Sequence, residues 1–194
     1  MSPKAIAQAE DRFAKAERAV ERLRIAKSFS EAEGAWSDFL AAASTIYSKL
    51  EQGSKTNGRS TAWFGRAKKV RKDDPLLRYL HHARNSDEHS IADITERKPG
   101  SWGITGDVIL NGTIGGPGSV LNVTGTNPAR PPRVFVKPSR LELIRVTDDR
   151  YGDAFDPPAE HLGKPIEDNT PLPVAELGLA YLKAMIEEAR RLAP

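Results

Sequence analysis

Three of the four histidines in this 194-residue chain, His81, His82 and His89, fall within nine residues, beside Arg84 and Asn85. Imidazoles this close invite a metal reading. A helical zinc pair, however, needs ligands at i and i+4, and these three offer neither that spacing nor a further ligand nearby, so no metal site is expected. Placed on a helix at about 100° per residue, Leu76, Leu80, Ala83, Ile91 and Ile94 define one apolar face. Arg84 lies at the edge of that face and Asp87 near its middle. Asn85 and His89, four apart, share the opposite face with His82 nearby. A polar face carrying an amide and two imidazoles suits a wet cleft or a dimer seam. The same spacing also permits Arg84 to pair with Asp87 or Glu88 at i+3 or i+4, which would leave His89 merely exposed. Two other segments carry less chemistry. The run from Gly112 to Gly118 lacks the Lys-Ser/Thr ending and the following helix of a phosphate loop, and reads as a flexible hairpin tip. Asp148, Asp149, Asp153 and Asp156 have no helical frame to converge them and read as surface loop.

The string Leu76-Leu77-Arg78-Tyr79-Leu80-His81-His82-Ala83-Arg84-Asn85-Ser86-Asp87-Glu88-His89 resembles the signature of the HEPN family. That signature is an Arg, a polar residue, then a His after four to six intervening residues, late in a helical bundle. Here these are Arg84, Asn85 and His89. The resemblance covers residues 1–97, plus the final helix if it packs back; the strand-rich segment 99–146 lies outside it. It implies a small bundle that forms a homodimer and, in many members, a metal-independent endoribonuclease with toxin-like or defence roles. In those proteins the Arg and His of two subunits meet in a cleft at the dimer interface. Within that implied chemistry, His89 would act as acid or base, since an unperturbed imidazole titrates near pH 6.5. Arg84 would offer its forked donor to the phosphate oxygens, and Asn85 would orient the phosphate or the ribose. The products would be a 2′,3′-cyclic phosphate and a 5′-hydroxyl. One imidazole cannot easily make both proton transfers at once, which favours a two-fold pair of sites. No cofactor is implied. The alternative on the same bundle is a non-catalytic binding or scaffold protein whose 99–146 segment contacts a protein partner.

A second constellation precedes the histidines. Between Gln52 and Asp73 the chain carries Lys55, Arg59, Arg66, Lys68, Lys69, Arg71 and Lys72 with no acidic residue, and Trp63 and Phe64 lie inside the run. Positive charge with interleaved aromatics is an electrostatic and stacking footprint for RNA or DNA, and a DNA-binding regulator using this basic helix is a further class. The plainer alternative is a solvated helix face whose aromatics point into the core. The charge balance places a polyanion site in the first half: residues 1–97 hold 18 basic and 14 acidic side chains, residues 98–194 hold 11 and 12.

These residues must be positioned by the elements around them. Residues 4–27 read as a long helix, with Ile6, Phe13, Val20 and Leu23 at helical spacing. Ser30 followed by Glu33 is a capping-box pattern opening a second helix over Glu31 to Gln52. Its stripe is Ala35, Trp36, Phe39, Leu40, Ala43, Ile46, Tyr47 and Leu50, and Gly53 would end it. Ser60 or Thr61 would cap a shorter third helix through Val70. Asp74-Pro75 opens a fourth, running to about Arg97 and stopped by Pro99-Gly100. Residues 99–138 then turn rich in Gly, Pro, Asn and Thr. Asp107 to Leu110 leads into Asn111-Gly112, a hairpin signal, and Ser119–Val123, Arg133–Lys137 and Leu141–Val146 read as further strands. Residues 148–173 read as irregular, and Val174 to Leu192 as an amphipathic helix that buries its stripe on the bundle.

The fold class expected is α+β: mainly an up-and-down helical bundle (1–98), a Gly/Pro-rich hairpin segment with loops (99–172), and a closing helix packed back on the bundle (173–194). Absence of cysteine excludes disulfides, thiolate chemistry and Cys-based zinc sites. No run of eighteen apolar residues exists, and the first residues lead into a charged, Ala-rich stretch, so the expectation is a cytoplasmic protein that does not enter membranes. The net charge of +3 is a mild bias toward an anionic partner.

Overall fold

The computed structural model describes residues 1–89, 92–112, 117–147 and 152–193, with the His89 side chain outside that set. Among these residues the chain is mixed α and β: five helices, and ten short strands hydrogen-bonded as five two-stranded pairs. Two compact units result, one of residues 1–97 with 141–194, the other of residues 98–140.

The helical unit starts with α1 (Pro3–Ile25) and α2 (Phe29–Ser54), which run antiparallel. Ser2 caps α1 by accepting from the Ala5 N–H, with Pro3 in the first turn, where no amide hydrogen is needed. The cap of α2 is Ser28 rather than Ser30: its hydroxyl accepts from the Glu31 N–H at 3.2 Å, and Glu31 reaches back to the Lys27 N–H at 2.8 Å. The helix therefore starts two residues earlier than expected, with Glu31 taking the amide just before the cap. Along α2, Trp36, Phe39, Leu40, Ile46 and Leu50 are each no more than 1% exposed and form the spine of the core. Burying each such side chain contributes about 1.5–3 kcal/mol. Gly53 does not end α2 but lies inside it and is buried, because a Cβ there would stand 2.3 Å from the Ala5 Cβ. Its missing side chain lets α1 close on α2.

α3 (Gly58–Asp73) is capped by Asn57, whose side chain accepts from the Ser60 N–H at 2.9 Å, rather than by Ser60 or Thr61. Ser60 is fully buried and donates to the Ser54 carbonyl at 2.7 Å, tying the α2–α3 corner. α4 (Pro75–His89) opens at Asp74-Pro75 as the sequence indicates, with the Leu77 N–H donating to the Asp74 carboxylate at 2.9 Å. It stops well short of Arg97. Residues 95–98 instead form a strand, β1 (Thr95–Lys98), paired with β6 (Arg140–Leu143). Ile94, in the bend before β1, is buried all the same, so its apolar character mimicked a longer helix. Ile91 lies outside the described residues.

Residues 141–193 belong with the helices. β7 (Val146–Thr147) pairs antiparallel with β8 (Ala154–Phe155), and β9 (Glu160–His161) with β10 (Lys164–Pro165). The segment expected to be irregular thus carries short ladders, while Asp148 and Asp149 lie outside the described residues. The expected single strand Leu141–Val146 is divided between β6 and β7. α5 (Pro171–Arg190) packs back on the bundle. Arg190 pairs with Glu10 at 2.6 Å, Arg24 with Glu176 at 2.6 Å, and buried Gly178 lies against Leu80 and Phe39.

The second unit is built from two β-ribbons: β2 (Ser101–Thr105) with β5 (Arg133–Lys137), and β3 (Val108–Gly112) with β4 (Leu121–Gly125). Asn111-Gly112 is not the turn. Both residues sit in β3 opposite Asn122 and Leu121, and Gly112, at φ +146°, leaves only 2.1 Å between a would-be Cβ and the Val120 carbonyl oxygen. Of the expected tip Gly112–Gly118, Gly112 ends β3 and residues 113–116 lie outside the described residues. Nearly every side chain of β2–β5 is exposed.

Candidate nucleic-acid site on the fourth helix

α4 is gripped along two sides. Leu76, Leu80 and Ala83 are buried against the bundle. On the flank some 60–80° away, the Tyr79 hydroxyl donates to the Ile144 carbonyl at 2.8 Å, and buried Ser86 donates to the Thr147 carbonyl at 3.0 Å. The strip left facing outward holds exposed Arg78 and Glu88, with His81, His82, Arg84 and Asn85 partly covered beside them.

Arg84 is the best-defined member of this strip. Its guanidinium forms an ion pair with Glu88, one turn along, and donates to the Asn85 side-chain oxygen at 3.2 Å. The side chain keeps only 27% of its exposure, and its Nε–H is buried without a hydrogen-bond partner among the described residues. Of the two readings open for Arg84 in the sequence, the structure realises the i+4 pair with Glu88. Asp87, expected near the middle of the apolar face, is exposed and accepts from the Ser37 hydroxyl at 3.1 Å. His89 occupies the last turn of α4, about 6 Å along the axis from Asn85. Its imidazole lies outside the described residues.

The neighbouring imidazole is not set in open water. The His82 ring stacks on Phe155 of β8 at 3.6 Å between centroids and 9° between planes, with His81 edge-on to it at 5.0 Å. The Arg78 guanidinium lies 5.8 Å from the same phenyl ring. Phe155 thus roofs part of the polar face, a contact set by residues far downstream of the helix.

The basic stretch around α3 is partly answered by carboxylates and partly exposed. Lys55, Arg59, Arg66 and Lys72 are exposed. Lys68 stands 3.6 Å from Glu51, and Lys69 is paired with Asp73 at 2.6 Å, so carboxylates outside the run answer two of its charges. Arg71 lies over the Tyr47 ring at 4.7 Å. Trp63 corrects the stacking expectation. It is 6% exposed and its indole N–H donates to Glu188 at 2.9 Å, so it packs into the bundle and offers no ring face to a base. Phe64 is equally buried, because the two aromatics fall on the inward arc of α3.

Burial also marks the phenols behind this surface. The Tyr47 and Tyr79 hydroxyls are pushed well above the ordinary tyrosine range, chiefly by desolvation, and Tyr181 is raised for the same first cause. One polar centre escaped sequence reasoning. Asp74, buried at the head of α4, accepts from the Leu162 N–H at 2.7 Å and lies 3.0 Å from the His161 Nδ1, besides capping the helix. No sequence signal links residues nearly ninety apart. No cluster of three His, Asp or Glu suited to a metal ion occurs among the described residues, and no described helix is long and apolar enough to cross a membrane. Comparison with protein-family models, curated proteins and solved structures finds no match to this chain.

Proposed function

We propose that this chain is a HEPN-like, metal-independent endoribonuclease that acts as a homodimer through Arg84, Asn85 and His89. The observation that supports the reading is the Arg84–Asn85 contact: a forked cation and an amide, joined at 3.2 Å, one turn before His89 on the half-covered side of α4. In this reading the 2′-hydroxyl oxygen attacks the adjacent phosphorus as a base removes its proton. The bond from phosphorus to the 5′-oxygen breaks, and an acid delivers a proton to that oxygen. The His89 imidazoles of two subunits supply the base and the acid. Arg84, turned from Glu88 to the phosphate, neutralises the charge that grows on the non-bridging oxygens. Exposed Lys55, Arg59, Arg66 and Lys72 attract the strand.

The test is cleavage of mixed-sequence RNA by the purified protein in the presence of EDTA, with product ends identified as 2′,3′-cyclic phosphate and 5′-hydroxyl. His89→Ala and Arg84→Ala should each lower the rate by about 10²–10⁴-fold while leaving the far-UV spectrum unchanged. If varied RNAs stay intact with wild-type protein, or if both variants cleave as fast as wild type, the catalytic reading is wrong. The competing reading, a non-catalytic scaffold, draws on the apolar side of the β2–β5 ribbon, where Trp102 is 56%, Val134 68% and Val136 72% exposed.

A further inference from the structure

The β2–β5 ribbon has two unlike faces. Strand alternation sets Val134 and Val136 on one side, opposite Ile104 and Trp102. On the other side stand Arg133, Phe135 and Lys137, opposite Thr105, Gly103 and Ser101. This second face therefore reads cation, aromatic, cation along one strand, beside three small residues on its neighbour. The small residues matter most at Gly103. A Cβ there would lie 2.4 Å from the Phe135 Cζ and 2.7 Å from its Cε1, so the phenyl ring leans across the ribbon into the space that Gly103 leaves. One side of the ring is seated on the backbone and 41% of the residue remains exposed. The ring belongs to no buried cluster: all five residues of β5 are exposed.

Charge on this unit is one-sided. Residues 98–140 contain five basic side chains and a single acid, Asp107. Asp107 is already engaged, standing 3.5 Å from Arg130 and accepting from the Asn127 amide at 2.9 Å. Arg133 and Lys137 each stand about 7 Å along the strand from Phe135, on either side of it. An open aromatic ring between two cations matches a base stacked between two backbone phosphates of a single strand. A lipid surface would instead call for several large apolar side chains on the cationic face, and this face has only Phe135.

We propose that the Arg133–Phe135–Lys137 face of the β2–β5 ribbon is a single-stranded RNA platform, on which one base stacks on Phe135 while its flanking phosphates meet Arg133 and Lys137. The choice of RNA over single-stranded DNA rests on the ribonuclease reading given above; the platform chemistry itself does not. Gly103 is a positioning residue, acting through the ring it makes room for.

The experiment measures fluorescence anisotropy of a short labelled 2′-O-methyl oligouridine, which cannot be cleaved, titrated with the full chain across a salt series. Phe135→Ala should weaken binding about tenfold or more, and Phe135→Tyr should restore it. Gly103→Val, which keeps the ring but takes its seat, should approach the Phe135→Ala value. Arg133→Ser with Lys137→Ser should lower the slope of log K against log salt by about 1.4, two phosphates' worth for a single strand. All these sites except Gly103 are exposed, so an unchanged far-UV spectrum is expected throughout. The platform is overturned if the ribbon variants bind as wild type does, if no oligonucleotide binds at all, or if anionic phosphatidylserine vesicles bind while the oligouridine does not. Tight ribbon-dependent binding without cleavage of ordinary RNA removes the catalytic reading alone. Cleavage that ignores every ribbon variant, with unchanged probe binding, removes the platform alone. Tighter binding of the matching deoxy-oligonucleotide overturns the assignment to RNA.

Discussion

Replacement of Asp74 by alanine tests whether the register of α4 is set at its head. The Asp74 side chain is 4% exposed and serves three partners: the Leu77 N–H at 2.9 Å, the Leu162 N–H at 2.7 Å, and the His161 Nδ1 at 3.0 Å. Loss of the helix cap costs about 1 kcal/mol. The bond from the Leu162 N–H to the buried carboxylate, a hydrogen bond to a charged group, adds about 1.5–3 kcal/mol. The imidazole contact adds a further part, and the three are not independent. A total of about 3–5 kcal/mol is expected, a large share of the roughly 5–15 kcal/mol that ordinary domains possess. With a urea m-value of about 2 kcal/mol/M, the midpoint should fall by about 2 M. Far-UV circular dichroism during urea titration reads this directly, because the helices dominate the signal. Asp74→Asn keeps one acceptor oxygen and should lose about half as much. Amide exchange should quicken in β9–β10 first, since Leu162 and His161 are that hairpin's tether to α4. A midpoint shift of less than about 0.5 M at unchanged m, for Asp74→Ala, would refute the assignment of Asp74 as the tether.

Alkaline pH and two glycines give further checks. The buried Tyr47 and Tyr79 phenols hold their protons in the fold to a higher pH than in the unfolded chain. Their contribution is intact below the unfolded value of about 10 and declines as pH rises above it, by about 1.4 kcal/mol per phenol per pH unit. Thermal melts should therefore show stability flat from pH 7 to 9 and falling steeply beyond about 10; a flat profile through pH 11 contradicts the burial of these hydroxyls. Gly53→Ala should destabilise by about 1–3 kcal/mol despite alanine's better helix propensity, because the new methyl meets Ala5 across the α1–α2 contact. Gly34→Ala, in the same helix with nothing within 4 Å, should instead stabilise by up to about 1 kcal/mol. Equal effects at the two sites would mean that backbone propensity alone sets them.

The helices were largely legible because their cues are local. The stripe from Ala35 to Leu50 and the Asp74-Pro75 start depend on residues within a turn or two of one another. What failed depends on partners far along the chain. Apolar spacing through Ile94 does not reveal that the chain leaves the helix and pairs Thr95–Lys98 with Arg140–Leu143. Trp63 sits in a basic run, yet its neighbours in space are the core and Glu188. The pairing of Arg84 with Glu88 was one of two outcomes the i+4 spacing allowed, and side-chain placement decided it. The β2–β5 face was hidden by averaging. Over residues 98–194 the charges nearly cancel, but 98–140 holds five basic side chains and one acid, while 141–194 holds six and eleven. The unit boundary at Arg140 separates the two populations.

The same geometry bears on which part of the proposed ribonuclease site is rigid. α4 is bonded on one flank to Ile144 and Thr147, tethered at its head through Asp74, and packed on the bundle through Leu76, Leu80 and Ala83. Such over-determination fixes the Cα positions of Arg84 and Asn85 while leaving the guanidinium its choice of anion. Pre-organisation of this kind favours catalysis only if the resting partner is weaker than the substrate. Glu88 meets that condition. Both members of the pair are partly solvated, at 27% and 37% side-chain exposure, where an i+4 ion pair contributes only about 0.3–0.5 kcal/mol. In the proposed reading, a phosphate held by the strand's other contacts would displace it at small cost. Binding strength and chemistry therefore need not reside in the same residues of such a site.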